Sequence, residues 1–255
     1  LRDHAATLSR QQFQCNTGSL PVEYVDAPRA KISMDAAEAI KRMMGDNVWI
    51  AFKNVERSPV FKDIVRDTFE EISTRLGLPE MARNMESSII ISSQGAITPF
   101  HMDPDHVFLL QISGRKRIKI ARRANVEEEE LERFFRDNFR NIPMKESLAQ
   151  SAETFDMEAG QGVYIPVTSP HWVEVTEGPS VSINFAYRCD SSTRREHLLR
   201  MNAHMRRLGL CPNRVGSRND ETKLQRYRKA VGMIANLRPS RIVARMTNFS
   251  AFIRA

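Results

Sequence analysis

Long apolar runs are the first thing this sequence lacks. Nowhere in its 255 residues do apolar side chains persist for the roughly 18–20 positions that cross a bilayer, so no membrane-spanning helix is expected. Cysteine is scarce as well. Cys15, Cys189 and Cys211 are odd in number, far apart and without a C-x-x-C pair. That argues against a disulfide framework or a structural zinc site, and for a reducing cytoplasm. No internal repeat or low-complexity segment is present. The opening Leu1-Arg-Asp-His-Ala5 has neither a starting Met nor the apolar centre of a signal peptide, and reads as a trimmed start. What is there is the composition of a globular protein, 41% hydrophobic and 27% charged, in a chain long enough to bury a full core.

Acidic charge is missing from one end. From Arg188 onward, sixteen Lys and Arg face only four Asp and Glu, although the net charge of the whole chain is +7. A basic tail on a mildly acidic body could meet nucleic acid, an acidic protein or the acidic part of a twin subunit.

The hydrophobic pattern divides the chain into a mixed helix and strand segment over 1–86, a β-rich core over 87–188 and a basic helical region over 189–255. Residues 1–30 show no clear period, and Pro21–Val25 is at most a short edge strand. A helix is expected from Met34 to Met44, capped by Ser33 and closed by Gly45, then a buried strand over Val48–Phe52. Apolar side chains at Val60, Ile64, Val65, Phe69, Ile72 and Leu76 have helical spacing, with Gly77 as terminator. From residue 87 short β-rich runs follow: 89–91, 107–112, 117–120, 155–157, 163–165, 171–175 and 181–185. Many short strands at this spacing suggest a sandwich or barrel, of the double-stranded jelly-roll kind. An amphipathic helix over Val126–Phe139 interrupts them as an insertion. Thr193-x-x-Glu196 reads as a capping box before an apolar stripe of Leu198, Leu199, Met201, Met205 and Leu208. Further helices are expected near 220–235 and 239–246.

Two stretches carry chemistry. Thr98-Pro-Phe-His101-Met-Asp103 offers an imidazole and a carboxylate two residues apart. In extended chain, residues i and i+2 point to one face, so both can grip a single metal ion. Val163-Tyr-Ile-Pro-Val-Thr-Ser-Pro-His171 supplies a later histidine that would complete a two-histidine, one-carboxylate triad. Such a triad leaves coordination positions open, as in non-haem Fe(II) oxygenases. Lys116, thirteen residues after Asp103, could hold an anionic cosubstrate by its ammonium. Thr98 could add a hydroxyl to the same carboxylate, and Asn184 offers an amide near the His171 strand. Asp105 and His106 lie close enough to compete as ligands, but Pro104 breaks the alternation, and they are read as substrate-side or structural. Tyr164 and Trp172 are read as packing residues.

Four motifs in order, Thr98-Pro-Phe-His101-Met-Asp103, Gln111-Ile-Ser-Gly-Arg-Lys116, Tyr164-Ile-Pro166…His171 and Asn184-Phe185, closely resemble the JmjC branch of the cupin superfamily, the Fe(II)- and 2-oxoglutarate-dependent dioxygenases. The likeness is nearest to the protein hydroxylases of that branch, of which the asparaginyl hydroxylase of hypoxia-inducible factor is one. It implies a JmjC/cupin jelly roll in which His101, Asp103 and His171 bind iron. Thr98 and Lys116 would bind the distal carboxylate of 2-oxoglutarate, with Asn184 near its other end. It further implies an O₂-using hydroxylase acting on a protein or peptide side chain with release of succinate and CO₂, and a homodimer formed through helices after the barrel. Val107 departs from the pattern, standing where those relatives often carry a polar residue near the iron. Two other readings are the same chemistry on a small metabolite, and a non-catalytic metal-binding cupin whose basic helices contact nucleic acid.

Overall fold

The computed structural model describes residues 13–24, 31–43, 45–78, 83–137 and 140–236. Eight antiparallel strands carry the first of two compact units, which takes the described residues up to Glu127 and those from 140 to Cys189. They are β1 (Phe13–Thr17), β2 (Val48–Lys53), β3 (Arg83–Ser92), β4 (Ile97–His101), β5 (His106–Ile120), β6 (Glu153–Met157), β7 (Gly162–Ile165) and β8 (His171–Arg188). Helices α1 (Ala36–Arg42) and α2 (Lys62–Leu76) precede β2 and β3, and the short α4 (Glu146–Gln150) precedes β6.

The topology turns on two long strands. The second half of β8 pairs with β3 and with the first half of β5, while its first half pairs with β4 and the second half of β5. One layer therefore runs β1-β2-β3-β8-β5-β7 and the other β4-β8-β5-β6. This is the expected jelly roll, with one difference from the sequence reading. The runs at 107–112 and 117–120 are not two strands joined by a turn but one, and so are those at 171–175 and 181–185. Gly114 marks a bend and not a chain reversal. It sits at φ 71°, and a Cβ there would fall 2.6 Å from the Glu177 carbonyl oxygen. Only glycine accepts both the left-handed backbone and that approach. On β8 Gly178 meets the second condition alone: a Cβ there would lie 2.5 Å from the Gln94 nitrogen.

Alternation sorts the side chains. Ile50, Phe52, Ile89, Ile91, Phe108, Phe185 and Tyr187 leave one face of the larger layer and pack against Ala39 of α1 and Val65 and Phe69 of α2. Phe69 stacks on Phe185 at 6.0 Å and meets Tyr187 edge-on at 5.6 Å. On the opposite face Val107, Leu109, Ile118, Met157, Ile165 and Val173 close the space between the layers. Helix α2 ends as predicted: Gly77 is left-handed, and its N–H reaches the carbonyls of Ser73 and Thr74.

Other expectations need correction. The first helix is capped by Asp35, whose Oδ1 accepts from the Glu38 N–H at 2.8 Å, and not by Ser33. Residues 21–24 form a turn, and Val25 lies outside the described residues. The edge strand is Phe13–Thr17, where Phe13 and Cys15 face the core and alternate with Gln14 and Asn16 over too few residues to stand out from the irregular sequence before them. Thr193 caps nothing, because the helix it was expected to start begins at Asp190.

The second unit comprises α3 (Glu128–Asp137), α5 (Asp190–Arg207) and α6 (Asp220–Asn236). Leu131, Phe134, Phe135, Leu198, Leu199 and Leu224 are buried in it, whereas Leu208 is exposed and lies beyond the helix end. Buried polar groups are bonded there. Glu132 accepts from Arg206 at 2.7 Å, and Asn202 stands between Glu128 and Lys223 at 3.3 Å each. The helix expected at 239–246 lies outside the described residues. None of the described helices is long and apolar enough to cross a membrane.

Candidate active site

His101 closes β4, and the alternation continues past it. Phe100 and Met102 are fully buried on one face, so His101 and Asp103 emerge together on the other. His171, the first residue of β8, is paired directly with His101. One ligand atom from each of His101, Asp103 and His171 lies within 4.8 Å of the others. The Nε2 atoms of His101 and His171 stand 3.8 and 3.6 Å from Asp103 Oδ2.

Local backbone fixes the direction of each ring. His101 Nδ1 donates to the Pro99 carbonyl at 2.7 Å, and His171 Nδ1 donates to the Ser169 carbonyl at 2.9 Å. With the proton committed to Nδ1, Nε2 presents its lone pair inward, as a metal-binding imidazole requires. The proline-bounded run before β8 supplies that carbonyl. Ser169 N–H turns back to Pro166, Thr168 N–H donates to the Asp103 carbonyl at 2.9 Å, and Thr168 takes a left-handed φ of 58°. Thus the second motif is tied by its backbone to the first.

Asp103 is also held from outside. Arg140 Nη1 donates to its Oδ1 at 3.0 Å, which leaves Oδ2 toward the histidines. Arg140 is positioned by backbone: its carbonyl accepts from Met102 N–H, and Asn141 bridges to His101. Burial raises the Asp103 carboxyl, but His101, Arg140 and His171 outweigh it and keep it below its ordinary value. Burial, then the neighbouring His101, lowers His171 to about 4. At neutral pH the cluster is one carboxylate and an unprotonated His171, a donor set that fits a divalent cation.

These groups face a cavity of about 500 Å³ between the layers, a size suited to a small ligand together with an entering side chain. Thr98, His101, Asp103, Lys116, His171 and Asn184 all line it, so the structure brings together all six residues singled out in the sequence. Lys116 points in from the second half of β5 and is only 3% exposed. It has no hydrogen bond or ion pair among the described residues, and burial alone lowers its ammonium to about 7. Asn184 Oδ1 is likewise buried without a partner. An unpaired ammonium in an enclosed space is costly unless something anionic joins it.

Gln111, the first residue of the Gln111…Lys116 motif, is structural. Its amide donates to the Ser113 carbonyl at 2.6 Å and Ser180 Oγ at 2.8 Å, and accepts from Ser182 Oγ at 2.6 Å. These bonds pin the bend that aims Lys116. Val107 lines the cavity wall. Asp105 and His106 are structural: Asp105 pairs with Arg188 at 2.7 Å, and His106 Nδ1 bonds the Tyr164 hydroxyl at 2.6 Å. Tyr164 stacks beside Phe108 on the face away from the cavity, and Trp172 packs on Phe100 at 5.7 Å. Sequence reasoning missed Lys53, Trp49 and Arg140, which also line the cavity. Their segments carry no motif, and only the pairing of β2 with β3 and the return of the chain at 140 bring them in.

Residues 68–194 match the JmjC domain family. No curated protein matches the chain. Among solved structures it is similar to YcfD, a ribosomal oxygenase from Escherichia coli, in complex with cobalt and 2-oxoglutarate. That likeness has 15% identity and a TM-score of 0.49, over 92% of this chain and 59% of that one. The same protein with cobalt and succinic acid gives 16% identity and a TM-score of 0.47, over 92% and 58%. A variant of oxalate decarboxylase from B. subtilis gives 13% and 0.33, over 64% and 33%. This chain spans less than two thirds of the length of each.

Proposed function

Residues 68–194 of this chain are a JmjC domain, and from that premise we propose that the protein is an Fe(II)- and 2-oxoglutarate-dependent oxygenase that hydroxylates a side chain of a protein or peptide. One observation carries the reading: His101, Asp103 and His171 converge in a cavity that also holds the unpaired ammonium of Lys116.

His101 Nε2, Asp103 Oδ2 and His171 Nε2 would hold the iron. When bound, iron with 2-oxoglutarate and O₂ supplies an oxidant for a C–H bond, with one oxygen atom entering the substrate as hydroxyl, the other entering succinate, and CO₂ leaving. The chain's own residues do the rest. Pro99 and Ser169 carbonyls keep both imidazoles in the ligating tautomer and orientation. Arg140 keeps one carboxylate oxygen of Asp103 occupied and the other directed inward. Lys116 and Thr98 receive the distal carboxylate of the cosubstrate, which restores the ammonium charge that burial opposes. Asn184 offers an amide at its other end. Val107, Leu109, Ile118, Ile165 and Val173 make the wall apolar and limit the water that could intercept the oxidant. The cavity reaches solvent at Lys53 and Arg140, both exposed, which lets a side chain enter while its parent chain stays outside.

Succinate formation from 2-oxoglutarate with Fe(II) tests this directly. Wild type turns over and His101→Ala falls to background; equal rates would refute the reading. A homodimer through the second unit completes the proposal, and a monomer in light scattering would remove it. Cys15, Cys189 and Cys211 form no disulfide, which suits a reducing cytoplasm.

A further inference from the structure

The cavity mouth carries more positive charge than the proposed reaction uses. Among the lining residues Lys53, Lys116 and Arg140 are cationic, and Asp103 is the only carboxylate. A divalent ion, the Asp103 carboxylate, the Lys116 ammonium and a doubly charged 2-oxoglutarate together sum to neutrality. Lys53 and Arg140 remain.

Arg140 has an acidic partner in Asp103. Lys53 has none within ion-pair or hydrogen-bond reach among the described residues. It ends β2 on the cavity face and is paired with Ser88 of β3, which is paired with Asn184 of β8. Neighbouring strands are about 4.8 Å apart, so Lys53 stands roughly two strand spacings from the Asn184 strand, at the outer rim. Its side chain reaches solvent but is desolvated in part by the surrounding wall; this, then Arg140 and Lys31, pushes its ammonium down, and Glu86 and Asp103 only partly offset them. Along the same wall, on the neighbouring strand β1, stand the amides of Gln14 and Asn16, which bond each other at 3.2 Å, with the indole of Trp49 opposite Asn16. Amides can bond both N–H and C=O groups of a peptide backbone, and a flat ring can cover it.

We propose that this rim is an anion subsite, and that the substrate is a peptide segment whose acidic group docks on Lys53 while a neighbouring side chain enters toward the metal ligands. The proposal rests on the oxygenase reading for the identity of the inner ligands. The shared chemistry is an oxyanion, either a carboxylate side chain or a phosphorylated serine.

The test uses Mn(II)-loaded protein with 2-oxoglutarate under argon, so that nothing turns over. It is exposed to a positional-scanning peptide library in which each position in turn is fixed as Glu, phosphoserine, Gln or Lys. At one position Glu or phosphoserine is retained about tenfold better than Gln, the scale of a charge-assisted bond, and which of the two leads identifies the oxyanion. Lys53→Arg keeps that preference, and Lys53→Glu loses it and retains Lys instead. Equal retention of Glu and Gln, a preference unmoved in Lys53→Glu, or no retained peptide at all would overturn the subsite. Wild-type protein with Fe(II) and air is read separately. Failure to make succinate there sinks the oxygenase reading and leaves the charge preference to be judged by the binding data alone.

Discussion

Replacing Lys116 by methionine should stabilise the ligand-free protein and destroy its grip on 2-oxoglutarate. The ammonium is 3% exposed and unpartnered, and burial lowers its pKa from 10.5 to about 7. At about 1.4 kcal/mol per pKa unit, holding it charged inside the fold costs about 5 kcal/mol. The direction with pH follows from where the protons sit. Below pH 7 folded and unfolded chains both carry the proton, and the full cost is felt. Between about 7 and 10.5 the unfolded chain still binds it while the folded chain does not, so stability rises with pH across that window and then levels. Methionine fills similar space without charge. At pH 6 its melting temperature should exceed wild type by on the order of 10 °C, taking about 2–4 °C per kcal/mol for a chain of this size. By pH 9 much of the difference should be gone. Binding should mirror this: in the proposed role of Lys116, 2-oxoglutarate pairs with the ammonium, so above pH 7 its uptake should draw in a proton and its affinity should fall by up to about tenfold per pH unit. Calorimetry of Mn(II)-loaded protein in two buffers of different ionisation enthalpy reads that proton. A variant no more stable than wild type at pH 6, or binding without proton uptake at pH 8, would refute the reasoning.

Three shorter tests follow from other contacts. Arg140→Ala should weaken Co(II) binding about 10–100-fold, as loss of a group that orients a metal ligand does; titration of the visible Co(II) bands reads it, and unchanged affinity would show that Asp103 needs no outside partner. Gly114→Ala should cost about 2–4 kcal/mol, combining a left-handed backbone with a Cβ pressed on the Glu177 carbonyl; denaturant unfolding measures it. Phe69→Ala removes a ring stacked on Phe185 and should cost about 3–5 kcal/mol in the same assay without altering metal affinity.

What could be read in advance was what is local. His101 and Asp103 share a face because extended chain repeats every two residues, and that rule survives even though the strand itself ends at His101. Gly77 was visible because glycine marks the left-handed backbone that ends a helix. The two bends were misread because a short apolar run bounded by glycine looks the same whether the chain reverses or only kinks. Phe13–Thr17 went unread because its alternation is only two apolar residues long, Phe13 and Cys15, and it is the pairing with β2 that makes it a strand. Lys53 and Arg140 were missed for a related reason. Nothing beside them announces a site, and each enters the cavity through pairing with residues tens of positions away.

Because β5 and β8 run unbroken through both layers, the distances within the site are set by counting residues along single strands. Thirteen positions of β8 separate His171 from Asn184, and one inserted residue between them would turn every later side chain to the opposite face unless a bulge such as those already in the β5–β8 pairing absorbed it. A change of length inside these strands therefore has to be taken up at a bulge if the site is to keep its geometry. Between β5 and β6 the chain accommodates α3 and α4, with Arg140 and Asn141 as the fixed point of that connection, tied to Asp103 and His101. The fold thus separates strands that must keep their register from a connection that can change on either side of Arg140, where new substrate contacts can be gained while the hold on Asp103 is kept.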